Sequence, residues 1–120
     1  MNFSENKAIY LQIVDRICDE ILNETYVAES RIPSVREYAS IVEVNANTVM
    51  RSFDYLQSKE IIYNKRGIGY FVAVDARERV IAMRKEQFLN DEIDYLFKQL
   101  KSLGIGSDEL CSMYEKYCNK

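Results

Sequence analysis

Residues 32–53 read IPSVREYASIVEVNANTVMRSF, and residues 65–72 read KRGIGYFV. Pro33, the only proline in the chain, holds the entry to the first stretch extended. Ser34 stands three residues before Glu37, the spacing of a capping box in which each side chain bonds the other's backbone N–H. Val35, Tyr38, Ala39 and Val42 give the helix that follows an inner side. Glu43–Asn45 reads as a tight turn, with Asn45 as the N-cap of a second helix running to about Ser58. Val49, Phe53 and Leu56 set the core face of that helix and leave Asn47, Met50, Arg51 and Asp54 on or beside its outer face. Ile61–Tyr63 and Tyr70–Val74 read as strands, with Asn64–Gly69 as the loop between them. Two short capped helices followed by a basic loop between two strands make a winged helix-turn-helix, a shape that lays one helix in the major groove of DNA.

Upstream, Tyr10, Ile13, Val14, Ile17, Cys18, Ile21 and Leu22 form a helical stripe from Ala8 to about Asn23, with acids on the outer face. Glu24–Arg31 reads as a connector. Downstream, Asp75–Leu103 reads as one helix in which Leu89, Ile93, Leu96, Leu100 and Leu103 are spaced four, three, four, three, an a/d seam. Phe88 and Phe97 widen that seam. Gly104 is placed as a C′ residue, and Ser107 as the cap of a last helix carrying Leu110, Met113, Tyr114 and Tyr117. The sequence therefore predicts an α+β fold: a winged helix-turn-helix domain over 1–75 and a two-helix dimerisation hairpin over 76–120. Leu89, Ile93, Leu96, Phe97, Leu100, Leu103, Leu110 and Tyr114 are the expected dimer contacts, because the hairpin carries more apolar surface than two helices hide from each other. The alternative is a tail folded back on the winged helix.

Composition bounds the function. The 120 residues are 48% hydrophobic and 29% charged, ordinary for a globular chain. No apolar run approaches the roughly 18 residues of a membrane span, and the start, MNFSENKAIY, has no secretory pattern. The three cysteines form no CxxC pair, and Cys111 and Cys118 do not have a zinc-ligand spacing, so reduced cytosolic thiols and no metal or cofactor are expected. Histidine is absent, which removes the usual general base. The net charge is −3, with a pI near 5.1. Its distribution is uneven: residues 1–30 sum to −4 and residues 31–72 to +2. That balance predicts modest, salt-sensitive DNA affinity for one protomer and a need for a second.

Residues 7–74 resemble the DNA-binding domain of the GntR family of bacterial transcription regulators. The family pattern is an IYxQI start, an (L/I)PSxRE segment, a VxxNTVxRA-like recognition helix and an RGxGxFV wing. This chain carries Ile9-Tyr10-Leu11-Gln12-Ile13, Ile32-Pro33-Ser34-Val35-Arg36-Glu37, Val44 through Ser52, and Arg66-Gly67-Ile68-Gly69-Tyr70-Phe71-Val72. The short helical tail is similar to that of the YtrA-like subfamily, which implies a homodimer. The chain departs from the family where Ala8 stands for a proline, Ala28-Glu29 for a Pro-Gly pair and Glu43 for a glycine. A glutamate at positive φ costs about 1 kcal/mol. Ala46 and Met50 stand where many members have other, often basic, side chains, so the operator need not match the family's usual ones.

The resemblance implies DNA contacts that the chemistry supports. Arg36 suits guanine or a phosphate, its rival being a pair with Glu37 or Glu43. Ser34 offers a hydroxyl to a phosphate, although capping alone explains it. Asn47 pairs bidentately with adenine, and Thr48 suits a phosphate or a thymine methyl. Asn45 lies beside them at the helix start. Arg51 reads as a phosphate contact, with an ion pair to Asp54 as the rival, and Met50 is left open. In the wing, Gly67 and Gly69 permit a tight loop that clears a groove, and Lys65 and Arg66 project toward backbone or minor groove. The tyrosines read as core edges or interface rather than a ligand pocket.

The expected protein is a cytoplasmic, homodimeric repressor on a pseudo-palindromic double-stranded operator. The resemblance implies that its targets include a neighbouring transporter operon. A small-molecule effector is left open; it would act by changing the relative placement of the two wings. Two rivals stand beside this reading: a winged-helix module that binds protein, and a small enzyme.

Overall fold

The apolar stripe near the start forms α1, Ile9–Leu22, which buries Ile13, Val14, Ile17, Cys18 and Ile21 on one side. The computed structural model describes residues 7–120; residues 1–6, which open the stretch tested above for a secretory pattern, lie outside the described residues. Helix α2, Val35–Val42, begins at the expected capping box. The Ser34 amide donates to Glu37 Oε1 at 3.0 Å, and the Glu37 amide donates to Ser34 Oγ at 3.1 Å. Helix α3, Ala46–Ser58, is capped by Asn45, whose Oδ1 accepts from the Asn47 amide at 2.7 Å. Val49, Phe53 and Leu56 are fully buried. The Phe53 ring lies 6.1 Å from Tyr38 on α2 and 5.0 Å, edge-on, from Tyr70 in the wing.

The wing is an antiparallel pair, β1 (Ile62–Lys65) and β2 (Gly69–Val72), with Ile62 opposite Val72 and Lys65 opposite Gly69. Both strands sit within two residues of their expected bounds. The connector does more than connect. The Ile32 amide donates to Tyr70 O at 3.0 Å, the Val72 amide to Ser30 O at 2.9 Å and the Glu29 amide to Val72 O at 2.8 Å. Residues 29–32 thereby cover the free edge of β2, satisfying backbone groups that a two-stranded wing would leave bare.

The chain divides into two compact units, Met1–Met83 and Arg84–Lys120. The seam falls later than the expected 75/76 boundary because Ala76, Val80 and Met83, spaced as one helix face, are buried in the first unit's core. Their helix, α4 (Ala76–Gln87), is tied there by polar contacts as well. Arg77 donates to Leu22 O at 2.8 Å, and Arg79 to Asp75 at 2.8 Å and Glu60 at 3.0 Å.

The expected single helix over Asp75–Leu103 is broken. A π-turn, Phe88–Glu92, separates α4 from α5, Ile93–Ser102. Its i→i+5 geometry sets Phe88 above Ile93, five residues on, and takes Leu89 out of the α-helical a/d register. Gly104 (φ +71) closes α5, with the Ile105 amide donating to Leu100 O and the Gly104 amide to Lys101 O, a Schellman motif. The last helix, α6 (Ser107–Cys118), has Gly106 as its N-cap, so Ser107 is its first residue and not its cap. None of the described helices is long and apolar enough to cross a membrane.

Glu24, Glu29, Glu43 and Glu60 all adopt positive φ. Glu43 (φ 57, ψ 47) ends α2, with the Val44 amide closing back onto Ala39 O. A β-carbon is strained there, and a carboxylate sits at the negative end of the helix dipole. Glu43→Gly is expected to stabilise the protein by about 1 kcal/mol. Urea unfolding checks this; an unchanged or lower midpoint would contradict it.

Candidate nucleic-acid interface

The exposed side of the first unit is assembled from α2, α3 and the wing. α2 and α3 pack against each other, and β1 follows α3 directly. The Tyr38–Phe53–Tyr70 contacts hold all three as one body. Three of the expected polar side chains stand exposed with no hydrogen bond or ion pair among the described residues: Arg36 on α2, Asn47 in the first turn of α3, and Arg66 in the wing loop. The rival pairing of Arg36 with Glu37 or Glu43 does not form among the described residues; Glu37 is taken by the capping box and faces Arg31. Thr48 is half-buried; its carbonyl accepts from the Ser52 hydroxyl, and its own hydroxyl has no hydrogen bond among the described residues.

Other expected contacts are engaged locally. The Asn45 side chain is occupied as a cap, and Ser34 Oγ accepts from the Glu37 amide. Arg51 does not pair with Asp54; its guanidinium lies 4.0 Å above the Tyr10 ring of α1. Lys65 places its ammonium 4.4 Å from the Phe71 ring centroid, on the face where Tyr63 and Phe71 stack. Gly67 (φ +80) and Gly69 (φ +143) both use backbone freedom that other residues lack.

Arg31 is the residue that the sequence reading left out. Its guanidinium packs on Gly69, where an added Cβ would meet Nε at 2.8 Å, and its Nη2 lies 3.9 Å from Glu37 Oε1. It therefore joins the wing to the start of α2. The available signal was its place at the strand-like step into Ile32-Pro33.

The Ser34 backbone N–H, then the Ser34 hydroxyl, hold the Glu37 carboxyl below the usual glutamate range, and Arg31 adds to this. A depressed carboxylate stabilises the fold above its unfolded pKa and loses that contribution as pH falls through the depressed value. NMR titration is expected to show Glu37 protonating below ordinary glutamates. Ser34→Ala should raise it only part of the way, since the backbone N–H remains; full restoration would assign the effect to the hydroxyl instead.

In the second unit, no residue of Arg84–Lys120 is buried. A half-open apolar cavity of about 450 Å³ lies between its helices, walled by Phe88, Ile93, Leu96, Phe97, Leu110 and Tyr114. Of the remaining expected dimer residues, Leu89 and Leu103 are exposed and Leu100 is half-buried, and none lines this cavity.

A capped helix pair, an exposed α3 and a glycine-turned basic wing define a DNA-binding transcription regulator of the winged-helix class. The chain belongs to the GntR family: residues 9–72 match the model described as bacterial regulatory proteins, gntR family. It is 32% identical over 108 residues to the uncharacterized HTH-type transcriptional regulator YhcF of Bacillus subtilis, covering 90% of this chain and 88% of that one. It is 32% identical over 90 residues to the HTH-type transcriptional repressor YtrA of the same organism, covering 72% and 69%. A crystal structure described as a GntR-family transcriptional regulator from Bacteroides thetaiotaomicron shares 58% identity and a TM-score of 0.84, covering 93% of this chain and 97% of that one. The chain is thus a regulator and not an enzyme.

Proposed function

We propose that the protein is a cytoplasmic homodimeric repressor whose two winged helices read the halves of a pseudo-palindromic operator. The unpartnered set of Arg36, Asn47 and Arg66 supports the DNA-facing side, since each is a polar group held in solvent with its bonding capacity unused. Asn47 and Thr48, in the first turn of α3, read base edges; Arg36 reads a guanine or a phosphate. Arg66 and Lys65 reach toward the backbone or the minor groove. Gly67 and Gly69 let the wing approach, Ser34 and Asn45 fix the helix ends, and Arg51, seated on Tyr10, is within reach of a phosphate through its free edge.

The observation that carries the dimer is the second unit, which has large exposed apolar side chains and no buried residue of its own. A helical unit without a core gains one by covering its apolar face with a second copy. Repression is supported by the similarity to YtrA, a transcriptional repressor by name. The family resemblance extends the reading to a transporter operon as target.

Selection from a random duplex library at two salt concentrations tests the reading. An inverted repeat should be enriched, with affinity falling steeply at the higher salt. Phe97→Glu should yield a monomer by sedimentation and lose operator affinity by on the order of 100-fold. Arg36→Ala with Arg66→Ala should abolish specific binding. A lone half-site, a wild-type monomer, or unchanged binding by the double variant would each sink the corresponding part.

A further inference from the structure

The wing ends in an unusual pair of side chains. The Ile68 amide donates to Lys65 O at 2.9 Å and closes a turn in which Gly67 takes φ +80. Gly67 contributes no side chain, and Gly69 is covered by Arg31. Lys65 is drawn onto Phe71. Arg66 and Ile68 are therefore the side chains left to the tip, and Ile68 is 61% exposed. Turn tips are ordinarily polar. Here a β-branched apolar group is displayed beside a cation on a base fixed by two cation contacts.

We propose that Ile68 is a specificity residue that enters the minor groove and selects A·T pairs beside each half-site. This rests on the operator reading above. The minor groove of G·C carries the guanine N2 amino donor, which A·T lacks. An isoleucine pressed on the groove floor leaves that donor without water or partner, which is unfavourable. A·T tracts also narrow the groove and deepen its negative potential, which suits Arg66. One cation and one apolar wedge thus favour the same base pairs by different physics.

The test uses the full chain and the operator recovered by selection. Wild type should show A·T enrichment at positions flanking the α3-contacted bases. Replacing those pairs by G·C should weaken binding roughly ten-fold. Replacing them by inosine·cytosine, which removes the N2 amino group and keeps the major groove of G·C, should restore it. Ile68→Ser should bring the G·C and A·T operators to within about two-fold of each other, with preferences at the α3-contacted bases unchanged. The exposure of Ile68 keeps that variant folded. Equal enrichment of all pairs at the flanks, inosine·cytosine as weak as G·C, or discrimination retained by Ile68→Ser would each overturn the proposal. Failure to enrich any sequence would overturn the operator reading itself and this proposal with it.

Discussion

The first unit depends on the Phe53 ring. Fully buried on α3, it meets Tyr38 of α2 and Tyr70 of β2. Its position fixes the angle between the two helices and the distance of the wing from both. Aromatic pairs at these separations add to the area they bury through oriented edge and face contacts. The Tyr38 hydroxyl, buried at one end of the trio, donates to Glu20 of α1, which draws that helix into the same arrangement. Burial first, and then the Glu20 carboxylate, push the phenol's pKa upward. A winged helix reads DNA with parts drawn from three elements, so one ring that holds all three makes the reading surface a single body.

Around this core most cationic side chains are engaged and two stand apart. Arg31, Arg51, Lys65, Arg77 and Arg79 each rest on a ring, a backbone or a carboxylate within the unit. Arg36 and Arg66 rest on nothing among the described residues. Among the described residues of the first unit, few cations are thus left free, and they stand on ordered supports. Lower conformational freedom in the unbound state reduces what association must remove. This matters most for a protein whose overall field does not attract DNA strongly.

Much of this was legible because it is local. Ser34 and Glu37 are three residues apart, Val49, Phe53 and Leu56 share one face by spacing alone, and Gly67 and Gly69 mark the turn. The exposure of Arg36 and Asn47 followed from the same helical spacing, and that of Arg66 from its place in the loop. What escaped the sequence was non-local. The pairing of residues 29–32 with β2 involves too few residues for alternation to show. The seating of Arg51 on Tyr10 and of Lys65 on Phe71 replaced expected free cations because each depends on a neighbouring element. The π-turn, in which the Ile93 amide reaches back to Phe88 O, was hidden by the regular leucine spacing from Leu89.

The pairing of residue 30 with residue 72 has a further effect. The entire helix-turn-helix lies between two segments hydrogen-bonded to each other, so it is a closed loop and not a free branch of the chain. Once closed, α3 cannot leave the unit as a whole without unburying Val49, Phe53 and Leu56 and straining the sheet that staples its flanks. The amides on its buried side therefore belong to the same cooperative unit as the core. The loop-closure entropy is lost once, on folding, and the reading surface stays assembled between one encounter and the next.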